Sequence, residues 1–435
     1  MKIREQGGYP QSWYAASSPL PTPRARLEGT VSAEICVIGG GLAGLTCALE
    51  LARTGREVLL LEANRIGWGA SGRNGGFVSA GFAERPTNIV RRVGLAEAQA
   101  LFKLSVEGAE YVRARVAEFD SSIHMGEGWL VALRYADTDG QRRFVEMLAR
   151  DFGHELKLLA TAETRKLLKT ERYFDSRLDP RAFHIHPLRY CLALAEAAER
   201  AGASIYENTR VRNVESLGVS GYHVVTALGS IITTRKVIFC HNHPDPRLSR
   251  ALAHAMLPVA TYIAVTEPLG ERASTAIATR AAVADTRRAG NYYRLVTDDR
   301  LLWGGKITTR VTEPARLAEV MKKDMLSTYP QLGNPRMEFA WNGLMGYARH
   351  KMPIIGEIEP GHWVASGFGG HGLNTTAMAG LLIARAILTG DDAWRRFAAF
   401  GVPWVGGWLG RAGIQISYWN MQLKDRRDER RAARP

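Results

Sequence analysis

The stretch Gly39-Gly-Gly-Leu-Ala-Gly44 constrains this chain more than any other. Gly39, Gly41 and Gly44 form G-x-G-x-x-G directly after an apolar run, Ala33-Glu-Ile-Cys-Val-Ile, and at the head of a segment, Leu42 to Arg53, with helical apolar spacing. Gly55 follows as a helix stop, and Glu57-Val-Leu-Leu-Leu-Glu reads as a second buried strand. Together they make a β-α-β unit of about thirty residues, the size of one parallel crossover. In such a unit the first glycine permits a tight turn, the second leaves room for a pyrophosphate, and the third lets helix and strand pack closely. Free N–H groups at the helix start, from Leu42 and Ala43 onward, favour phosphate oxygens. Glu62 ends the second strand 23 positions after Gly39, with Ala63 next to it. Its carboxylate is placed to accept hydrogen bonds from adenosine ribose hydroxyls. The pattern calls for a dinucleotide without saying which.

The passage after the second strand narrows the choice. Arg65-Ile-Gly-Trp-Gly-Ala-Ser-Gly-Arg-Asn-Gly-Gly-Phe77 is glycine-rich where a nicotinamide domain usually starts another helix. Such a passage can run beneath an extended cofactor, which points to FAD. Gly69, Ala70 and Ser71 are expected near the pyrophosphate, Arg73, Asn74 and Gly75 toward the flavin, and Arg65 at the opening of the passage. A second cluster, Gly367-Phe-Gly-Gly-His-Gly-Leu-Asn374, lies between a strand, His362-Trp-Val-Ala-Ser, and a helix, Leu373 to Thr389. Gly367, Gly369 and Gly372 repeat the spacing, yet no strand with a terminal acid follows. Its expected use is a helix N-terminus at the flavin pyrimidine edge, through Gly369, Gly370, Gly372, Leu373 and Asn374. Val211 completes the expected cofactor set. With one nucleotide motif and no evident NAD(P)H domain, electrons should come from the substrate and leave to oxygen or another acceptor.

At 435 residues two lobes are expected, and 46% hydrophobic with 23% charged residues excludes disordered and fibrous classes. The net charge of +14 is spread along the chain. Its one cluster, Lys424-Asp-Arg-Arg-Asp-Glu-Arg-Arg, is interspersed with acids and reads as a solvated, partly helical tail, with no nucleic-acid partner. Cys36, Cys47, Cys191 and Cys240 lack metal spacing, so no metal is expected. No secretory signal is visible at the N-terminus. No apolar stretch reaches membrane-span length; Ala377 to Leu388 is too short and carries Arg385. These features read as a reduced, cytoplasmic protein.

The expected fold is α/β: a discontinuous Rossmann-type FAD-binding domain (1–90, 184–255 and 346–395) with a smaller α+β substrate domain (91–183 and 256–345) containing an antiparallel sheet. Residues 396–435 form a C-terminal extension. Helices are expected over Leu95 to Phe119, Gln141 to Phe152, Leu188 to Ala201 and about Glu313 to Thr328.

Several segments, in order along nearly the whole chain, resemble the glycine oxidase and D-amino-acid oxidase superfamily of FAD enzymes, and within it the gamma-glutamylputrescine oxidase branch. They are Ser12-Trp-Tyr-Ala-Ala-Ser, Gly67-Trp-Gly-Ala-Ser-Gly-Arg-Asn-Gly-Gly, His184-Ile-His-Pro-Leu, Asn291-Tyr-Tyr-Arg-Leu, Leu301-Leu-Trp-Gly-Gly, Met352-Pro-Ile-Ile-Gly and Gly369-Gly-His-Gly. The resemblance implies a substrate domain whose sheet covers the flavin. It implies hydride transfer from the amine-bearing carbon to the flavin, imine hydrolysis and reoxidation by oxygen. The chain also departs from the superfamily's pattern. An ungapped count back from Pro353 puts Met345 where amino-acid oxidases hold the substrate carboxylate with an arginine. His350 stands where many members have an acid, and Cys240-His241-Asn242 replaces Ala-Thr-Gly. No cysteine lies in Gly343 to His350 and no histidine in Trp68 to Phe77, so the FAD should be non-covalent.

Candidate catalytic residues are Tyr292, Tyr293, Arg294 and His371. On a strand the two tyrosines face opposite sides, so one is expected at the substrate and the other packed. Arg294 is a candidate for a remote substrate acid or for a surface salt bridge. His184 with His186, and His241 with His243, lack partners at metal spacing and are expected to be structural. Trp404, Trp408, Tyr418 and Trp419 are expected in the core or between lobes. The leading expectation is oxidation of a small amine of gamma-glutamylputrescine type. The alternatives are an oxidase or dehydrogenase of glycine, sarcosine or D-amino acids, and a non-catalytic or RNA-modifying FAD-binding protein.

Overall fold

Ile35 to Ile38 are buried on both pleat faces, as a strand covered on either side must be. The computed structural model describes residues 5, 6, 8–242, 245–288 and 290–432. The elements that position the site include β1 (Thr30–Ile38), α1 (Leu42–Ala52), β2 (Val58–Leu61), α2 (Leu95–Glu118), α3 (Pro187–Arg200), β3 (Ser204–Tyr206) and β4 (Ile231–Phe239). Then come β5 (Met256–Thr266), β6 (Tyr292–Leu295), β7 (Leu301–Thr308), β8 (Met337–Ala348), β9 (Ile354–Glu359), β10 (His362–Ser366), α4 (Gly372–Thr389) and α5 (Gly407–Ala432).

One sheet is a parallel set, β3–β2–β1–β4, with β10 parallel to the end of β4. A hairpin, Val211–Ser216 with Tyr222–Thr226, pairs antiparallel to the start of β4, and β9 returns antiparallel to β10. Helices α1, α3 and α4 cover one face in a single apolar core with α2. Close helix contacts use small residues. A Cβ at Gly380 of α4 would stand 2.8 Å from Thr46 Cβ, and one at Gly108 of α2 would stand 2.2 Å from Asn374 O.

The second sheet runs β8–β5–β7–β6, then Ala282–Asp285, His124–Ala132, Ser176–Ile185 and Phe77–Val78. Lys157–Leu159 pairs with Ser176–Ile185. It is mixed rather than purely antiparallel, because Ala282–Asp285 runs parallel to His124–Ala132. Its outer face packs Tyr173, Tyr293, Trp303 and Tyr329 against the helix Leu317–Leu326.

Four sequence-based expectations change. Phe77–Val78, from the stretch expected in the nucleotide part, joins the second sheet through His184 and Phe183. Helix α2, expected in the substrate part, packs on α4 of the nucleotide part, because Gly108 leaves no side chain between them. The C-terminal aromatics are not core: Trp404, Trp408 and Trp419 are 63%, 76% and 47% exposed. Helix α4 is long and apolar enough to cross a membrane by length and composition, contrary to expectation, but Leu373, Ala377, Leu382 and Ile383 are buried in the core.

Candidate functional site

The turn between β1 and α1 is shaped by backbone that side chains would fill. Gly39 has φ +116°, and a Cβ at Gly44 would stand 2.1 Å from Gly39 O. Gly41 is the N-cap of α1 and supplies no side-chain cap. Ser71 Oγ accepts from the Leu42 N–H (3.0 Å) and would lie 2.9 Å from a Gly41 Cβ. Glu62 accepts from the Gly40 and Asn64 N–H groups, both at 2.8 Å, on separate oxygens. Each oxygen keeps acceptor capacity for a diol. Burial raises the Glu62 pKa, and the backbone donors oppose that shift. Ala43 is buried in α1, and Ala63 links Glu62 to Asn64. Val211 is buried two residues beyond Thr209, whose N–H donates to Glu62 O (2.8 Å).

The loop from Arg65 to Val78 passes from this turn to the second sheet. Ala70–Gly72 is a short 3-10 turn, and the Gly69 side faces open space. The Asn74 amide donates to Ala70 O and Ser71 O and accepts from the Gly76 N–H. Trp341 Nε1 on β8 donates to Arg73 O (3.0 Å), fastening the loop to the second sheet. Arg73 lies 4.1 Å over the Trp68 ring and donates to Trp68 O, while its buried Nη2 has no hydrogen-bond partner among the described residues. Desolvation lowers its pKa to about 10. Arg65 is directed elsewhere. Its Nε bonds the fully buried Glu207 (2.8 Å), its Nη2 bonds Pro21 O (2.8 Å), and it stacks on Tyr9. The Arg65 guanidinium thus points to the buried Glu207 carboxylate.

Helix α4 starts beside the same loop, with His371 as N-cap and no side-chain cap. His371 Nε2 lies 3.2 Å from both Ser79 O and Ala80 O, so it donates, and burial keeps the ring neutral by lowering its pKa. Asn374 donates to Gly81 O (3.0 Å) and Ser105 O (3.2 Å), and Leu373 is buried. Gly369 and Gly370 lie against Tyr347; Cβ atoms there would stand 2.7 and 2.6 Å from its ring and hydroxyl. Gly372 has open space around it.

One face of the second sheet looks onto these loops. Gly343, Met345 and Tyr347 alternate onto that face of β8, with Gly343 opposite Thr261 and Met345 opposite Val259. Thr261 Oγ1 is 3.5 Å from Tyr292 OH, and the Tyr292 ring fills the space above Gly304 and Gly75. Phe77 stands 5.8 Å from Tyr292 and 6.3 Å from Trp129, which stands 6.2 Å from His371. These aromatic rings are part-buried.

Residues 34–386 match the family described as FAD dependent oxidoreductase. The chain belongs to this family. It is 31% identical over 402 residues to gamma-glutamylputrescine oxidoreductase of Escherichia coli, covering 91% of this chain and 93% of that one. It is 32% identical over 382 residues to the probable oxidoreductase OrdL of Haemophilus influenzae, covering 86% and 87%. Glycine oxidase from Bacillus cereus shares the fold, with a TM-score of 0.69 at 20% identity, covering 83% of this chain and 96% of that one.

In this FAD-dependent oxidoreductase the candidate catalytic residues separate. Tyr292 and His371 border the space between loops and sheet. Tyr293 is on the opposite face, stacked on Trp303 and hydrogen-bonded to Tyr173 and Tyr329. Arg294 is fully buried and donates to His184 Nδ1, Ile185 O and Tyr14 OH. Neither a surface salt bridge nor a reach to substrate is open to it. His186 caps α3 by accepting from the Arg189 N–H (3.2 Å) and meets Ser17 Oγ (3.0 Å), a structural role. His243 lies outside the described residues. Sequence reasoning missed Phe77, Trp129, Thr261 and Tyr347. Tyr347 was recoverable from alternation two positions after Met345; Trp129 had no local signal.

Proposed function

We propose that this chain oxidises a small amine carrying no carboxylate on the reacting carbon, of gamma-glutamylputrescine type. The observation that carries the reading is Met345, on the loop-facing side of β8 opposite Val259, where a carboxylate-binding arginine is expected in amino-acid oxidases. Neither side chain donates a hydrogen bond. A charged hydrogen bond is worth about 1.5–3 kcal/mol, roughly ten- to over a hundred-fold in transition-state binding. The name of the Escherichia coli relative supports the same substrate class.

FAD, when bound, supplies a two-electron acceptor for the C–H bond beside the amine nitrogen. The glycine turn at Gly39, Gly41 and Gly44, the Ser71 hydroxyl and Glu62 would hold its phosphates and ribose; these backbone cradles fit the group. The loop at Gly69, Ala70, Asn74 and Gly75 and the α4 start at Gly369, Gly370 and Gly372 would hold its ring end. The faces of Phe77, Trp129, Tyr292 and Tyr347 attract a cationic amine and exclude water. Burial keeps the Tyr292 phenol protonated, so it can orient the nitrogen without carrying charge. The unpartnered Arg73 Nη2 suits the substrate's remote acid. Oxygen is the proposed acceptor, the FAD is non-covalent, and a cytoplasmic location fits the four free thiols.

The test compares catalytic efficiency on gamma-glutamylputrescine and simple amines with that on glycine, sarcosine and D-alanine. The amines without an adjacent carboxylate should win by at least about tenfold. Preference for the α-amino acids by that margin ends the reading.

A further inference from the structure

Half of the exposed large apolar side chains among the described residues lie within 402–423, and these include all three exposed tryptophans. Helix α5 carries most of them. At about 100° per residue, Trp408, Leu409, Ile416, Trp419 and Leu423 fall within about 100° of arc on one side. Trp404, just before the helix, is also exposed.

The other side of α5 is bound to the body. Arg411 donates to Thr309 O (2.9 Å), and Gln415 accepts from Thr308 and Thr309. The helix acids are spent there too: Asp425 and Asp428 pair with Arg288, and Glu429 pairs with Arg287. Lys424, Arg426, Arg427, Arg430 and Arg431 remain exposed, with no acid of the described helix outside those pairs. The outward side therefore runs from tryptophan and aliphatic residues to a cationic end, on a chain of net charge +14.

We propose that α5 docks this enzyme on an anionic lipid surface, lying in its plane. Tryptophan with aliphatic side chains suits the headgroup–acyl boundary, and the cationic end suits anionic headgroups. Charge decides between occupants. A second copy of the helix could cover the apolar half but offers the cationic half no acid, because those acids face inward. A lipid surface satisfies both halves. Thr308, the last residue of β7, and Thr309 just after it hold the helix, and β7 belongs to the sheet that lines the candidate site.

The flavin-loaded full chain is sedimented with vesicles of phosphatidylcholine alone and of phosphatidylcholine mixed with phosphatidylglycerol, at low and high salt. Wild type should bind the anionic vesicles at least about tenfold more tightly than the neutral ones, with salt weakening it. Trp408→Ser with Trp419→Ser, and separately Arg426→Glu with Arg430→Glu, should each reduce that binding by at least about tenfold with flavin content unchanged. The charge-reversed variant keeps the test open should the tryptophan variant fold poorly. Wild type left in the supernatant, variants that bind as tightly as wild type, or a dimer that the tryptophan variant dissociates would each overturn the proposal.

Discussion

Arg294 shows how one buried charge can be kept without an acid. Its Nη1 lies 2.7 Å from His184 Nδ1, and its Nη2 lies 2.8 Å from Ile185 O and 3.2 Å from Tyr14 OH. His184 must accept from the guanidinium, so its proton sits on Nε2, which lies 2.8 Å from Arg280 O. Burial and the Arg294 charge together depress the His184 pKa to about 3, from 6.5. The neutral ring is thus the native form. Its contribution is complete above the unfolded value of 6.5 and is lost as pH falls from there toward about 3. Burial lowers His186 as well, so the acid sensitivity is shared. His184→Asn keeps an acceptor but cannot be protonated in this range. Between about pH 6.5 and 5 it should remove up to about 2 kcal/mol of the acid destabilisation, read by urea unfolding at both values. An unchanged pH dependence would show that His184 does not bear this load. The site depends on the cluster, since a Cβ at Gly76 would stand 2.5 Å from Arg294 Nη2.

At the scale of elements, α4 positions its first turn by lying directly on α2. Gly108→Ala would put a methyl 2.2 Å from Asn374 O and 2.9 Å from Met378 Cβ. The helices must separate, at a cost of about 1–3 kcal/mol. The Asn374 bonds to Gly81 O and Ser105 O then loosen, so flavin affinity should fall with stability. Titration of apoprotein with FAD, beside chemical denaturation, checks both; a tight, fully stable variant would show that the contact relaxes freely. Elements such as α1, α2, α3 and α4 were legible because caps, glycines and apolar spacing are local signals. So was the cradle, since Gly39, Glu62 and Ser71 lie close together in sequence. The pocket face was not, because Trp129, Thr261 and Tyr347 meet through register between strands far apart in the chain. The Arg65–Glu207 pair was hidden for the same reason: the two residues are 142 positions apart. The C-terminal tryptophans were expected in the core or between lobes because apolar spacing does not say which side of a helix faces the body.

At the scale of the whole molecule, the cradle belongs to the parallel sheet and the aromatic face to the mixed sheet, with the Arg65–Val78 loop running between them. The thiols and imidazoles are the first groups to ask of a covalent link to the ring end of a cofactor spanning that distance. Cys36, Cys47 and Cys191 are buried in the core. Cys240 lies at the other end, against Gly39 and Gly44, and burial pushes its thiol up to about 12. His371 is committed to the Ser79 and Ala80 carbonyls, and His350 Nδ1 accepts from the Met352 N–H while Nε2 faces Gly401 O. His184 lies behind the loop with Arg294. The non-covalent reading then expects hydrogen bonds and packing to hold the FAD, and unfolding the chain to release it. Acid precipitation of the purified yellow protein should leave the colour in the supernatant, with apoprotein in the pellet. Colour that stays with the pellet after washing would mean that a side chain at the ring end is bonded to the flavin, and would overturn the non-covalent reading.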